Sequence, residues 1–129
     1  MKFASTRLVV ADMKAMVSFY ERVTEQTADW LAPVFAEIVL PGAALAFNAT
    51  QTEPPGAGAA GANRTACIEF QVDDIDAHYA RLKDTVPIVQ DLMLMPWGNK
   101  RFMFRDPEGT IVSLYAPATD DARKRFGAR

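Results

Sequence analysis

Two stretches of this 129-residue chain repeat the same order of residue types. The first runs Ser5-Thr6-Arg7-Leu8-Val9-Val10-Ala11-Asp12 into a helical stretch carrying Phe19-Tyr20. The second runs Cys67-Ile68-Glu69-Phe70-Gln71-Val72-Asp73-Asp74 into another that ends Arg81-Leu82. Asp12 and Asp74 lie 62 positions apart, close to half the chain, so the simplest architecture is one domain over 1–129 built of two similar modules.

The local patterns agree with a β-α-β-β-β order in each half. Thr6, Leu8 and Val10 alternate with Ser5, Arg7 and Val9, as in a strand with one face on a core. Asp12 has the chemistry of an N-cap, and Met13, Met16, Val17, Tyr20 and Val23 then form one helical stripe that should cover the Thr6/Leu8/Val10 face. Strands are expected over 29–31, 35–40 and 43–48, the last two joined by a Pro41-Gly42 turn. Module one therefore covers about 3–49. The next stretch, about 50–65, is rich in Pro, Gly and Ala and reads as a mobile linker or a lid. Module two, about 66–117, repeats the order: a strand over 66–72, a helix over 75–82, strands over 86–93 and 100–105, a tight Asp106-Pro107-Glu108-Gly109 turn, and a strand over 111–115. A polar tail over 118–129 is expected to be a loosely held helix or an irregular end.

Composition excludes several function classes. A chain of this length buries roughly two thirds of its unfolded surface and needs neither disulfide nor metal to fold. A net charge of −2 lacks the basic stripe that phosphate backbones require, so nucleic acid is not an expected partner. Cys67 is the single cysteine, which forbids an intrachain disulfide and suits a reducing compartment. The start leads into a strand pattern without an apolar run, so no membrane segment is expected and the cytoplasm is the default location.

One run of residues carries a resemblance. Pro96-Trp97-Gly98-Asn99-Lys100-Arg101-Phe102-Met103-Phe104-Arg105-Asp106-Pro107-Glu108-Gly109-Thr110-Ile111-Val112-Ser113-Leu114 follows two half-repeats whose first strands end Val-x-Asp and Val-Asp-Asp. Together these resemble the vicinal oxygen chelate superfamily, which includes glyoxalases, bleomycin-resistance proteins and dioxygenases, over about residues 3–117. The resemblance implies an α+β fold in which two βαβββ modules form a curved mixed sheet with a concave cavity and helices outside. It also implies a homodimer whose chains often complete each other's cavities.

Enzymes of that family hold a divalent metal through residues in the first and last strands of each module. Carried over by register, these positions fall on Ser5, Ala46, Cys67 and Ser113. None keeps the His, Glu or Gln type of the family, and a single thiol does not make a tight site. The one imidazole, His78, sits on the second helix opposite the Ile75/Tyr79/Leu82 stripe and reads as a solvated residue. No metal and no other cofactor is expected, which disfavours the metal-dependent activities of the family.

Alternation puts Ser5, Arg7 and Val9, and Cys67, Glu69 and Gln71, on the concave side. Glu37, paired with Ala46, joins them, and the turn at Pro107 is expected to bring Phe102 and Phe104 beside Tyr115. Polar anchors among apolar walls are the usual composition of a small-molecule site. The expected ligand-binding set is therefore Arg7, Glu37, Glu69, Gln71, Trp97, Phe102, Phe104 and Tyr115. Plainer readings stand beside it. Arg7, Glu37 and Glu69 suit ion pairing equally well, Cys67 suits an inert small side chain, and Trp97 suits either a lid or a dimer contact.

Three functional classes follow. The first is a metal-free protein of the bleomycin-resistance type that sequesters a hydrophobic or cationic small molecule, with Glu37 and Glu69 answering positive charge. The second is a superfamily enzyme acting on a carbonyl compound, with Glu37 or Glu69 as base and Arg7 stabilising an anion. The third is an accessory domain whose cavity is closed by side chains. The missing ligand types favour the first.

Overall fold

The computed structural model describes residues 1–127. The elements run β1 (Ser5–Val10), α1 (Met13–Thr24), β2 (Asp29–Ala32), β3 (Phe35–Leu40), β4 (Ala43–Ala49), a single 3-10 turn (Thr50–Thr52), β5 (Cys67–Gln71), α2 (Ile75–Leu82), β6 (Ile88–Leu94), β7 (Asn99–Arg105), β8 (Ile111–Pro117) and α3 (Asp120–Phe126). The strands pair as two four-stranded mixed sheets, ordered β1-β4-β3-β2 and β5-β8-β7-β6. In each, the first strand lies parallel to the last and the others are antiparallel. The fold is α+β with two βαβββ modules, as the half-repeat implied.

Contacts group the chain into two compact units. The first holds Met1–Arg64 and also the turn Pro107–Gly109; the second holds Thr65–Asp106 and the chain from Thr110 on. In the first unit Asp12 caps α1 by accepting from the Ala15 amide at 3.0 Å, and Met16, Val17, Tyr20 and Val23 bury the apolar stripe. Tyr20 meets Phe47 at 5.4 Å between ring centroids, on the face shared with Leu8 and Val10. Glu108, from the Asp106-Pro107-Glu108-Gly109 turn, lies across the start of the same helix, where its carboxylate accepts from the amides of Ala11 and Asp12.

In the second unit Asp74 caps α2 in the same way, through the Ala77 amide at 3.1 Å. Ile75 and Leu82 are buried, and Tyr79 packs edge-on against Phe102 at 5.1 Å. The strand over 86–93 begins later than its pattern suggested, at Ile88, because Pro87 has no amide to give the ladder. The last strand runs longer, to Pro117 opposite Asn99. The polar tail contains a helix, capped by the Thr119 hydroxyl at the Ala122 amide, whose Phe126 meets Tyr115 at 6.1 Å. Residues 128 and 129 lie outside the described residues.

Candidate functional site

The face of each sheet turned away from its helix follows from strand register. In the first unit Arg7, Ala46, Glu37 and Asp29 form one row across β1, β4, β3 and β2. Asn48 lies in the next row, between Val9 and Phe35. Within this unit Arg7 and Glu37 make no ion pair with each other among the described residues. Arg7 instead reaches Glu53 at 3.3 Å, and Glu53 accepts from Asn48 Nδ2 at 2.5 Å. Only 9% of the Glu53 side chain is exposed. The segment expected as a linker therefore has, near its start, a residue tied to the sheet. Asn48 Nδ2 also reaches the Thr52 hydroxyl, while its Oδ1 has no partner although the residue is 2% exposed. Glu37 has no hydrogen bond or ion pair among the described residues and stands opposite another carboxylate, Asp29.

In the second unit the first row joins Gln71, Tyr115, Arg101 and Met93, and the second joins Glu69, Ser113, Met103 and Gln90. Arg101 is held from two sides. Its Nε donates to Gln90 Oε1 at 2.7 Å, and its guanidinium stacks over the Trp97 ring at 5.3 Å. Trp97 itself is 51% exposed. Tyr115 donates to Gln71 Oε1 at 3.1 Å, and its ring is buried with Phe126 against it. Glu69 is exposed and has no hydrogen bond or ion pair among the described residues. Ser113 is sealed between these groups, and its hydroxyl lacks a partner.

Phe102 and Phe104 correct the expected set. Phe102 pairs with Leu114 and Phe104 with Val112, so both project to the face under α2, opposite to Tyr115. Both are 0% exposed, and they stack on each other at 5.6 Å. They form core. The residues that share the Tyr115 face are Arg101, Met103 and Arg105, none of which was expected. The signal was present in Arg101-Phe102-Met103-Phe104-Arg105, where strict alternation groups the two phenylalanines away from the two arginines.

A separate open depression of about 590 Å³ lies at the start of α1, lined in part by Met13, Lys14, Trp30, Pro33, Val34 and Gln51. None of the expected site residues lines it. His78 is half-buried on α2, where its Nδ1 accepts from Arg81 at 3.1 Å. No helix among the described residues is long and apolar enough to cross a membrane.

The family model described as Glyoxalase/Bleomycin resistance protein/Dioxygenase superfamily matches residues 2–114. The chain belongs to this superfamily. Solved structures of similar fold include a glyoxalase/bleomycin resistance protein/dioxygenase from Nocardioides, with TM-score 0.73 and 24% identity over 93% of this chain and 85% of that one. A glyoxalase-related enzyme from Fulvimarina pelagi has TM-score 0.76 and 19% identity, covering 94% of each chain. A glyoxalase/bleomycin resistance protein/dioxygenase family enzyme from Burkholderia phytofirmans PsJN has TM-score 0.75 and 14% identity over 91% of this chain and 99% of that one. At such identities the likeness speaks for the fold. A comparison with curated proteins gives no match.

The donor chemistry of this superfamily member does not fit a divalent metal at the positions carried over from its relatives. Ala46 has no donor atom, and Ser5 and Ser113 offer hydroxyls. Burial and then the neighbouring Glu69 push the Cys67 thiol above its ordinary range, against a smaller opposing effect of Arg101. Cys67 is the one strong donor of the four positions, and a single thiol does not make a tight site. Among the described residues no three His, Cys, Asp or Glu side chains gather into a metal-binding group.

Proposed function

We propose that this superfamily member is a metal-free small-molecule-binding protein of the bleomycin-resistance type, which sequesters a hydrophobic or cationic ligand on the faces of its sheets turned away from the helices. The observation that carries the reading is the face of the second sheet. There a half-exposed indole, Trp97, in the turn between β6 and β7, lies against the Arg101 guanidinium of the sheet that also carries Glu69, a carboxylate with no hydrogen bond or ion pair among the described residues. Apolar surface with a few fixed polar groups is the usual make-up of such sites. In the first unit Arg7 and Glu37 are the polar groups assigned to the ligand, and in the second Glu69, Gln71, Trp97 and Tyr115. No chemical step is assigned to them.

The protein is read as a homodimer acting in the cytoplasm. Leu31 on β2 and Met93 and Leu94 on β6 are exposed apolar residues on strands at the edges of their sheets, which supports association through these strands. The test is a thermal-shift screen of hydrophobic small molecules and cationic antibiotics on protein dialysed after exposure to zinc, nickel, manganese and iron(II). A ligand-dependent rise in melting temperature without retained metal is expected, and Glu69→Gln should weaken cationic hits. Stoichiometric retained metal would sink the metal-free reading. A flat screen would favour an accessory domain, a reading for which the burial of Tyr115 beneath Phe126 already speaks.

A further inference from the structure

We infer that Arg101 is the specificity-determining residue of the second sheet's face, and that it takes the carboxylate of an aromatic small molecule whose ring lies against the free side of Trp97. The inference rests on the small-molecule reading above and narrows it, from hydrophobic or cationic ligands to hydrophobic ones with an acidic end.

Three observations carry it. Arg101 has no carboxylate within ion-pair distance among the described residues, although the chain carries 16 acidic residues for 14 basic ones, so its charge is left for something else. Its one hydrogen bond uses Nε, toward Gln90, and four of the five guanidinium N–H groups remain for a planar acceptor. Gln90 and Trp97 hold the group in place, so little side-chain entropy is lost on binding and the fork geometry suits a carboxylate.

The opposing charge on this face is Glu69, and the comparison decides between them. Glu69 is exposed, so water and salt screen it and an ion pair there is worth little. Arg101 is half-buried and fixed, so a charge-assisted hydrogen bond to it is the stronger anchor. The buried Ser113 hydroxyl, without a partner, lies on the same face in the neighbouring row and has an O–H that it can turn toward an anion. Burial of the Tyr115 ring leaves the Trp97 indole as the exposed aromatic surface beside this cation.

The experiment uses two probes of one shape and opposite charge, 1-naphthoate and 1-naphthylmethylammonium. The full chain carries two tryptophans, so Trp30→Phe leaves Trp97 as the only indole and its fluorescence reports this face. Naphthoate is expected to quench Trp97 and to bind at least about tenfold more tightly than the amine, the ratio expected of one charge-assisted anchor. Arg101→Gln should abolish that preference, and Arg101→Lys should restore part of it by returning the charge without the fork. Equal binding of both probes, or tighter binding of the amine, would overturn the inference and leave small-molecule binding standing. A naphthoate preference that survives Arg101→Gln, or that is lost in Trp30→Phe alone, would overturn it by placing the anion elsewhere, beside Lys14 in the depression of the first unit. Failure of both probes to bind would sink the anion anchor together with the small-molecule reading.

Discussion

Glu108 holds the amide of Ala11 through both carboxylate oxygens, at 2.9 and 3.0 Å, and one of these oxygens also takes the amide of Asp12 at 3.0 Å. The two residues are 97 positions apart, yet the bonds satisfy donors at the start of α1 that no helical carbonyl reaches. A carboxylate there also meets the positive end of the helix dipole. Gly109, at φ 91°, completes the turn that presents Glu108, and a side chain at that position would collide with the Arg64 guanidinium.

Glu108→Ala should therefore destabilise the protein by about 1–2 kcal/mol, the usual scale of a lost cap or charge-assisted bond. Glu108→Gln, which keeps an acceptor, should lose less. Urea unfolding of the three proteins checks the order, and an unchanged midpoint for the alanine variant would contradict the cap.

Truncation separates core aromatics from surface ones. Phe102→Ala should cost about 3–5 kcal/mol because a fully buried ring leaves a cavity. Trp97→Ala, half-exposed, should cost far less and alter binding instead. Equal destabilisation in the two variants would return Phe102 to the ligand face.

The Arg7–Glu53 pair is weak on its exposed side and strong on its buried one. Arg7 is mostly in water, so Arg7→Ala should change stability by about 1 kcal/mol or less. Glu53→Ala should cost about 1–3 kcal/mol, since it leaves the buried Asn48 amide without its carboxylate. Susceptibility of the 54–65 segment to limited proteolysis should rise in the second variant only.

Cys67 should alkylate slowly at neutral pH, with a rate that climbs as pH passes above the ordinary thiol range, because burial and Glu69 raise its pKa and the thiolate is the reactive form. Glu69→Gln removes a raising influence and should speed iodoacetamide labelling at pH 7.5. Arg101→Gln removes a lowering one and should slow it. The opposite order would contradict this electrostatic arrangement.

The strand faces were legible in the sequence where local period decides them. Arg7 and Glu37 share a face through Ala46, and Glu69 and Gln71 share one on β5, as alternation implied. Phe102 and Phe104 were misplaced because aromatic type was weighted above the alternation of β7 itself. Glu53 was missed for another reason: it lies among residues chosen for turns, and its partners Asn48 and Arg7 share no periodic pattern with it.

By itself the sequence determined the two βαβββ modules, their capping aspartates and the faces of most strands, because helix stripes and strand alternation are properties of neighbours along the chain. Only the tertiary structure decided that Glu53 rather than Glu37 answers Arg7, that Arg101 stacks on Trp97 with no carboxylate partner among the described residues, and that Glu108 caps a helix nearly a hundred residues away. Each of those depends on where a side chain from one strand or turn comes to rest against another. Packing and hydrogen-bond satisfaction set that distance, and the local order of residues does not contain it.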